Sequence, residues 1–367
     1  MRKVCFFILL LIFLLSRKEN IRAEMFEFGD AQNVMDKYSD AGFDISETFE
    51  NAKSGDSYEG IEKILYGLKG YLTDEISSNK KAIIVIILIA VGSAVLTNFA
   101  VAFGNESVSE TGNMMSYMIM TGYMLAGFSL ILTVARDAVM GICDFFRALI
   151  PSYFLSVGLT GAGTSAVGFY EVALIMLYVV NKILLNVMIP AVLIYVVVMI
   201  VNSINSRDYL SKFAELVQLA IVWGLKGITG VVIGINVIQS MILPSVDAVE
   251  GKTITKVIRM IPGIGGGAES IADLIIGSGA LIKNAIGTTV IIGMIIIFAV
   301  PAVKLIIYIF MYKITGAILQ PISEKNTIGC IDAVIDGAKL LFRILLYSVA
   351  LFAVSIAVIC MATNIKY

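Results

Sequence analysis

The chain has 367 residues, of which 58% are hydrophobic and only 15% are charged, and its mean hydropathy is +0.91. Soluble domains carry about 45–50% apolar and about 25% charged residues, so a lipid bilayer must cover part of the apolar surface. Basic and acidic residues balance at 27 and 28, which argues against nucleic-acid binding. Histidine is absent, which excludes Ser-His-Asp and Cys-His catalytic centres and most zinc and haem sites. The sequence predicts neither a cofactor nor a metal site.

The N-terminal residues 1–23 have the pattern of a secretory signal peptide. Arg2 and Lys3 precede an apolar run of 12 residues from Val4 to Leu15, which is too short for a comfortable membrane span. Ile21 is a poor residue at the −3 position for cleavage after Ala23. The segment therefore reads either as a cleaved signal or as an uncleaved anchor.

Residues 24–79 form an acidic region with 13 acidic residues and 4 lysines. Apolar residues recur at helical spacing within it and predict an amphipathic helix across 58–77. We expect this region to be extracytoplasmic, either as a solvated domain or as a docking surface for a partner.

Residues 80–367 are predicted to form an all-α, polytopic transmembrane helical bundle. Its apolar stretches are long enough to span a bilayer, and six of them follow one another: Ala82–Phe103, Met114–Val134, Phe169–Ile204, Phe213–Leu243, Ile286–Leu319 and Ile328–Ala362. Several exceed about 25 residues, and we expect breaks or kinks at Pro190 and Pro301. Two semi-polar segments, Arg136–Leu159 and Val246–Ile282, are expected to be interfacial or re-entrant helices.

An internal duplication is predicted at an offset of 111 residues, with units at roughly 114–224 and 225–345. The prolines carry most of the argument, because the chain has only 6 of them and four form two pairs at this offset. Pro151 pairs with Pro262, and Pro190 pairs with Pro301. Transporter folds are often built from such repeats, but the sequence does not decide between a parallel and an inverted arrangement.

The predicted topology conflicts with the distribution of basic residues. If residues 24–79 are exported and six spans follow, most lysines and arginines between the spans fall outside, against the positive-inside rule. Either the semi-polar segments cross or re-enter the membrane, or the signal interpretation is wrong. The first explanation is favoured, because those segments hold many of the conflicting charges, such as Arg136, Arg147 and Arg259.

The sharpest group of candidate functional residues lies in the last predicted span. Asp332, Asp336, Lys339 and Arg343 follow the spacing i, i+4, i+7, i+11, which places them on one helix face. Charges inside apolar spans are expensive and normally face a bundle interior or a watery cavity. The face is either a structural ion-pair ladder, with Asp336 pairing with Lys339, or the wall of a hydrophilic pathway.

Further intramembrane polar candidates interrupt the other spans. The first set follows the glycine-rich run 263–267, which we expect to separate two helices, and comprises Glu269, Asp273, Lys283 and Asn284. Lys182 and Lys226 lie deep in their predicted spans, where a lysine side chain does not easily reach the surface. A conduit would place several of these residues around a shared cavity, whereas a scaffold would pair them or leave them at the surface.

Several short motifs resemble those of the stage III sporulation protein AE family of endospore-forming Firmicutes. The residues that carry the resemblance are Ile261-Pro262-Gly263-Ile264-Gly265-Gly266, the stretch from Gly279 to Gly287, Leu319-Gln320-Pro321-Ile322-Ser323, the stretch from Gly337 to Arg343, and Ala362-Thr363-Asn364. The resemblance implies a place in the secretion-like complex, or feeding tube, that joins mother cell and forespore. It implies other stage III channel proteins as partners, beside the bilayer and further copies of the chain.

Three functions compete at this point. The first is a conduit subunit of the sporulation channel, and the second is a non-conducting membrane scaffold that anchors partner proteins. The third, an enzyme within the membrane, is disfavoured because the chain has no histidine and no nucleophile–base pair.

Overall fold

The structure is a computed structural model that describes only part of the chain. The described residues are 28–38, 43–54, 84–92, 94–95, 106–160, 162–204, 209–259, 265–321, 323 and 325–363. Within them, side chains are not described at 106, 108–110, 113, 204, 244 and 246–276. The predicted signal segment 1–23 and the predicted helix 58–77 lie outside the described residues.

All secondary structure in the described residues is helical, as the sequence predicted. The elements in chain order are α1 (Gly29–Tyr38), α2 (Ile45–Ser54), α3 (Glu106–Leu159), α4 (Gly163–Ile183), a π-helical turn (Leu184–Met188), α5 (Ile189–Ile204), α6 (Ser211–Arg259), α7 (Gly265–Leu319) and α8 (Lys325–Ala362). Residues 84–92, within the first predicted span, are also helical. Helices suit an apolar chain because each satisfies its backbone hydrogen bonds internally.

Five segments of the described chain are long and apolar enough to cross a membrane. They are Met114–Leu159, Gly163–Ser203, Ser211–Leu243, Gly277–Leu319 and Lys325–Ala362. The chain is therefore a multi-pass membrane protein with an all-α fold.

One of the two semi-polar segments differs from the expectation. Arg136–Leu159 is the C-terminal part of the single helix α3 and not a separate helix. Val246–Ile282 is divided between the end of α6 and the start of α7, and its interfacial or re-entrant placement stays a prediction. The sequence suggested a boundary at Arg136 because Arg136 and Asp137 lower the local hydropathy, but these charges leave the helical backbone intact. At the glycine-rich run α6 ends at Arg259 and α7 begins at Gly265, and the residues between them lie outside the described part of the chain.

The helix does not break at Pro301, which lies inside α7. Pro151, inside α3, does not end its helix either. Before Pro190 the chain passes through the π-helical turn Leu184–Met188. Proline lacks an N–H and crowds the carbonyl four residues earlier, and a π-helical turn is one way to change the hydrogen-bond pattern locally. The distortion at Pro190 is therefore local and does not divide the bundle.

The central helix of the bundle is α8, against which α3, α5, α6 and α7 all pack. One end of the bundle, here the Cys330 end, is marked by a contact of 3.5 Å between the Cys330 Sγ and the Thr121 Oγ1. The opposite Cys360 end is marked by a hydrogen bond of 3.1 Å from the Cys360 thiol to the Asn284 Oδ1. The helices α3, α6 and α8 run from the Cys330 end to the Cys360 end, and α5 and α7 run the other way.

The small polar helices α1 and α2 dock on the middle of the bundle, against α3 and α7. The Tyr38 ring lies so close to Gly141 that a Cβ there would sit 2.7 Å from it, and the Tyr38 hydroxyl donates to Asp144 at 3.1 Å. Burial is the largest cause that raises the pKa of Tyr38, so the phenol keeps the proton that it donates. Met35 is fully buried and approaches Gly293 of α7.

Candidate functional site

The charged residues of α8 form one open stripe on an otherwise buried helix. Asp332 and Arg343 are exposed, and Asp336 and Lys339 are half-buried between them. The residues on the other faces of α8 are mostly buried against the four neighbouring helices. The predicted helix face is therefore real, and it points away from the core of the chain. We call these four residues the α8 stripe.

The charges of the α8 stripe are only partly neutralised. The Lys339 ammonium donates to the Asp336 Oδ1 at 2.7 Å, with side-chain exposures of 43% and 39%, which confirms the predicted pair. Asp332 and Arg343 have no ion-pair partner within 4.0 Å among the described residues. Two acids followed by two bases give the stripe a negative end and a positive end.

Close packing beneath the stripe holds α8 in place. A Cβ at Gly337 would overlap Val196 of α5 and lie 3.0 Å from the Phe128 ring of α3. Only a glycine allows both helices to approach α8 at this level. Since Gly337 lies between Asp336 and Lys339 in the sequence, this contact also fixes which way the stripe faces.

Lys182 and Lys226 are exposed, each beside an aromatic residue of its own helix. The Lys182 ammonium donates to the Tyr178 hydroxyl at 3.2 Å, and the Lys226 ammonium lies 5.9 Å from the centroid of the Trp223 ring. Both lysines thus lie at the surface of the bundle and not in an internal pathway. The i, i+3 spacing of Trp223 and Lys226 and the i, i+4 spacing of Tyr178 and Lys182 are the signals in the sequence that predict these contacts.

Lys283 and Asn284 lie at the Cys360 end, far from the stripe. Lys283 is fully buried and its ammonium donates to the Thr363 Oγ1 at 2.9 Å, while Asn284 accepts from Cys360. Thr363 follows Arg343 by 20 residues, or about 30 Å of helix. These residues and the α8 stripe therefore do not share one cavity within the described chain.

Glu269 and Asp273 lie on the first turns of α7, and their side chains are not described. Their role as polar candidates stays a prediction.

Sequence reasoning missed two interhelical amides in α6, one buried and one half-buried. Asn236 is fully buried and donates to the Ser355 Oγ of α8 at 2.9 Å. Gln239 donates to the Gly168 carbonyl of α4 at 3.3 Å. Such bonds hold membrane helices together, because apolar side chains alone favour contact with another helix little more than contact with lipid. An Asn and a Gln inside an otherwise apolar run were the available signal.

Together, the five long apolar segments, the interhelical amides and the α8 stripe define a polytopic helical membrane protein with a charged face on α8. The sequence model described as stage III sporulation protein AE (spore_III_AE) matches residues 43–363. The chain therefore belongs to the stage III sporulation protein AE family, which confirms the resemblance seen in its motifs.

A curated relative supports the same assignment. The chain is 25% identical over 313 residues to the stage III sporulation protein AE of Bacillus subtilis (strain 168), covering 85% of this chain and 78% of that protein. No solved structure matches the chain. The family is a sporulation family and is not a known enzyme family.

Proposed function

We propose that this chain is a membrane-embedded component of the mother cell–forespore channel complex, required for spore formation, and that it acts there as a platform for partner proteins. The family assignment supports the sporulation role, and the α8 stripe carries the finer proposal. The proposal assigns no catalytic step to the chain. The membrane is the mother-cell membrane that surrounds the forespore.

The placement of the charges favours a platform over a conduit within one chain. Asp336 and Lys339 pair, while Asp332, Arg343 and Lys226 lie at the surface. A conduit within the chain would gather such residues around a cavity. An exposed charge without a partner is expensive in hydrocarbon, so Asp332 and Arg343 require water or an opposite charge on another protein.

The charge order of the α8 stripe limits what can pair with it. Two copies in the same orientation that met through this face would place Asp332 against Asp332 and Arg343 against Arg343, and like charges repel. The stripe instead fits a helix with a basic residue opposite Asp332 and an acidic residue opposite Arg343. These two positions are 11 residues apart, or about 16 Å along α8. The occupant that we propose is another stage III channel protein with this pattern.

Site-specific photo-crosslinking in sporulating cells tests the platform role. A photoreactive residue replaces Asp332 in one variant and Met361, which is 70% exposed on the same helix, in a matched control. We expect position 332 to crosslink to another channel protein and position 361 to give no such product. Crosslinking to lipid alone at position 332 contradicts the proposal.

A charge reversal separates a platform from a conduit. Asp332→Lys should abolish the crosslinks made from other stripe positions and lower a late forespore reporter, with normal membrane levels of the protein. Retained crosslinks together with a lowered reporter would instead indicate a pathway wall.

A further inference from the structure

The bundle has a Cys330 half and a Cys360 half, and in the Cys360 half three helices have uncharged runs that match one bilayer. The runs without Asp, Glu, Lys or Arg are residues 227–246 of α6, 284–303 of α7 and 344–362 of α8. Each is about 28–30 Å long, close to the thickness of the hydrocarbon core, which is about 30 Å. Ile238 and Met361 are exposed on two of these runs, so α6 and α8 offer an apolar surface to lipid.

The helix α3 passes through the same level but carries charges there. Phe146 of α3 packs on Phe352 of α8, with ring centroids 4.7 Å apart, and a Cβ at Gly293 of α7 would overlap the Phe145 ring of α3. Phe352 and Gly293 lie at the middle of their uncharged runs. The charged residues of α3 around this level are the half-buried Asp144 and the exposed Arg136, Asp137 and Arg147. Hydrocarbon would penalise these charges, so lipid does not cover this side of α3.

The polar helices α1 and α2 dock on this side of the bundle at the same level. Tyr38 of α1 lies against Gly141 and donates to Asp144, and Met35 of α1 lies near Gly293. Helix α1 packs on α3, and α2 packs on α7. The outer surface of this docked pair exposes the acids Asp30, Asp36, Glu47 and Glu50 and the lysines Lys37 and Lys53. Since Lys53 is paired with Glu50, the outer surface is mainly acidic.

Arg136 and Arg147 lie beside the docked pair. They are eleven residues apart and therefore share one face of α3. Counted at 3.6 residues per turn, that face lies about 120–140° around α3 from Gly141, which Tyr38 covers. Neither guanidinium has a carboxylate within 4.0 Å among the described residues. The two arginines form a basic flank of α3, at the level of the acidic docked pair.

Asp137 lies on the other flank of α3 from Arg136, although the two residues are consecutive. Successive residues point about 100° apart around a helix, and Asp137, like Asp144, acts on the Lys37 ammonium of α1. Asp137 therefore belongs with the docked pair, to an acidic flank. We call the surface formed by the docked pair and by the exposed charges of α3 the α3 face. Its basic flank and its acidic flank lie side by side.

A surface with this pattern is complementary to itself. Two copies inserted in the same orientation and related by a twofold axis normal to the membrane keep the level of every residue and exchange the two flanks. Such an isologous contact sets a patch against the same patch. The basic flank of each copy then meets the acidic flank of the other, with Arg136 opposite Asp137. The same operation brings like charges of the α8 stripe together, because its acids and bases lie at different levels.

We propose that two copies of this chain pair through the α3 face. The pairing neutralises the arginines of α3 and separates the docked pair from the hydrocarbon. The uncharged runs of α6 and α8 stay in contact with lipid, and the α8 stripe stays accessible to another protein.

Copies with only one sign of charge on the α3 face test the pairing. An acidic copy carries Arg136→Glu with Arg147→Glu, and a basic copy carries Asp36→Lys with Asp137→Lys. The full-length copies are coexpressed in pairs, under two different tags, in a non-sporulating host that lacks the other channel proteins. The membranes are extracted with a styrene–maleic acid copolymer, which keeps lipid around the protein. One tag is then captured, and the other is quantified.

We expect wild-type copies to co-purify with one another. The acidic copy should co-purify with itself at least about tenfold less, and so should the basic copy, because like charges opposed across an interface suppress pairing. The acidic copy together with the basic copy should recover the wild-type level, which also shows that both variants fold.

Lys313→Glu with Arg343→Glu is the matched control. Both residues are exposed, and the double change alters the net charge as much as the acidic copy does, but away from the α3 face. The control should pair with itself as the wild type does. Four results overturn the proposal: no pairing of the wild type, loss of pairing in the control, undiminished pairing of the acidic or the basic copy with itself, and no recovery in the mixed pair.

The measurement uses this chain alone and does not depend on the proposed function. Failure of the pairing test would leave the crosslinking test of the α8 stripe unaffected.

Discussion

The Cys330 half and the Cys360 half of the bundle are both helical and both apolar, yet they differ in where their charges lie. In the Cys360 half, α6, α7 and α8 each run about 20 residues without a charge, and the lysine at its far end, Lys283, is fully buried. In the Cys330 half, the same helices display Lys313 and the α8 stripe on their surfaces. In these three helices the positions of a few charges distinguish the two halves.

The largest expected effect comes from placing one new charge in each half. Ile238 and Ile119 have nearly equal exposures, 58% and 60%, so Ile238→Lys and Ile119→Lys form a matched pair. A lysine at the centre of a span costs about 2.5–3.5 kcal/mol on insertion scales. We expect Ile238→Lys to reduce the inserted protein strongly and Ile119→Lys to have a small effect, measured by carbonate-resistant membrane abundance. Equal losses would mean that both halves meet lipid.

Close packing of α8 should give the next effect. Gly337→Ala forces a methyl group onto Val196 and Phe128, and such overpacking typically costs about 1–3 kcal/mol. Gly227→Ala is the matched control, because a Cβ at Gly227 meets nothing within 4 Å. Unfolding in mixed micelles should show Gly337→Ala destabilised and Gly227→Ala unchanged or slightly stabilised. Equal stability of the two variants would show that α5 and α3 adjust freely around α8.

The Asp336–Lys339 pair reports the surroundings of the α8 stripe. Both side chains are more than one third exposed, and in water such pairs contribute about 0.2–1 kcal/mol. Asp336→Ala should therefore lower the membrane level of the protein only slightly, and Asp336→Ala with Lys339→Ala should return it to normal. A severe loss in the single variant, recovered in the double, would place the stripe in hydrocarbon, where an orphan charge is costly.

The smallest effect is expected at the dock of α1 and α2. Tyr38→Phe removes the hydrogen bond to Asp144, which is worth about 0.5–1.5 kcal/mol, and keeps the ring against Gly141. Because burial raises the pKa of Tyr38, the native bond should persist at neutral and mildly alkaline pH and weaken only when the phenol ionises. Limited proteolysis between residues 54 and 84 should be modestly faster in the variant, and unchanged rates would mean that apolar contacts alone hold the dock.

The same proteolysis in protoplasts tests whether residues 24–79 are extracytoplasmic. That placement and the duplication of 114–224 and 225–345 both stay predictions. Pro190 in α5 and Pro301 in α7 do both lie in helices that run antiparallel to α8. Superposition of the two units with Pro190 on Pro301 would confirm the duplication, and a poor fit there would exclude it.

The sequence by itself determined the class of protein, the helical fold and the family. Composition determines the class of protein, because 58% apolar residues are more than a soluble core can bury. The helical fold follows, because a chain in hydrocarbon that does not form a closed barrel must form helices. The i, i+4, i+7, i+11 spacing placed the four charges of α8 on one face, because helical geometry fixes that face locally. The family motifs likewise depend on neighbouring residues alone.

Only the tertiary structure decided where that face points and which residues share a level. Helical spacing gives the angle of Asp332 around α8 but does not say which sides α3, α5, α6 and α7 cover. The sequence also did not show that Arg136–Leu159 continues the preceding span as one helix, because hydropathy falls at charged residues even when the helix continues. The packing of Phe146 in α3 against Phe352 in α8 emerges only when the helices are brought into register, since the two residues are separated by more than 200 residues along the chain.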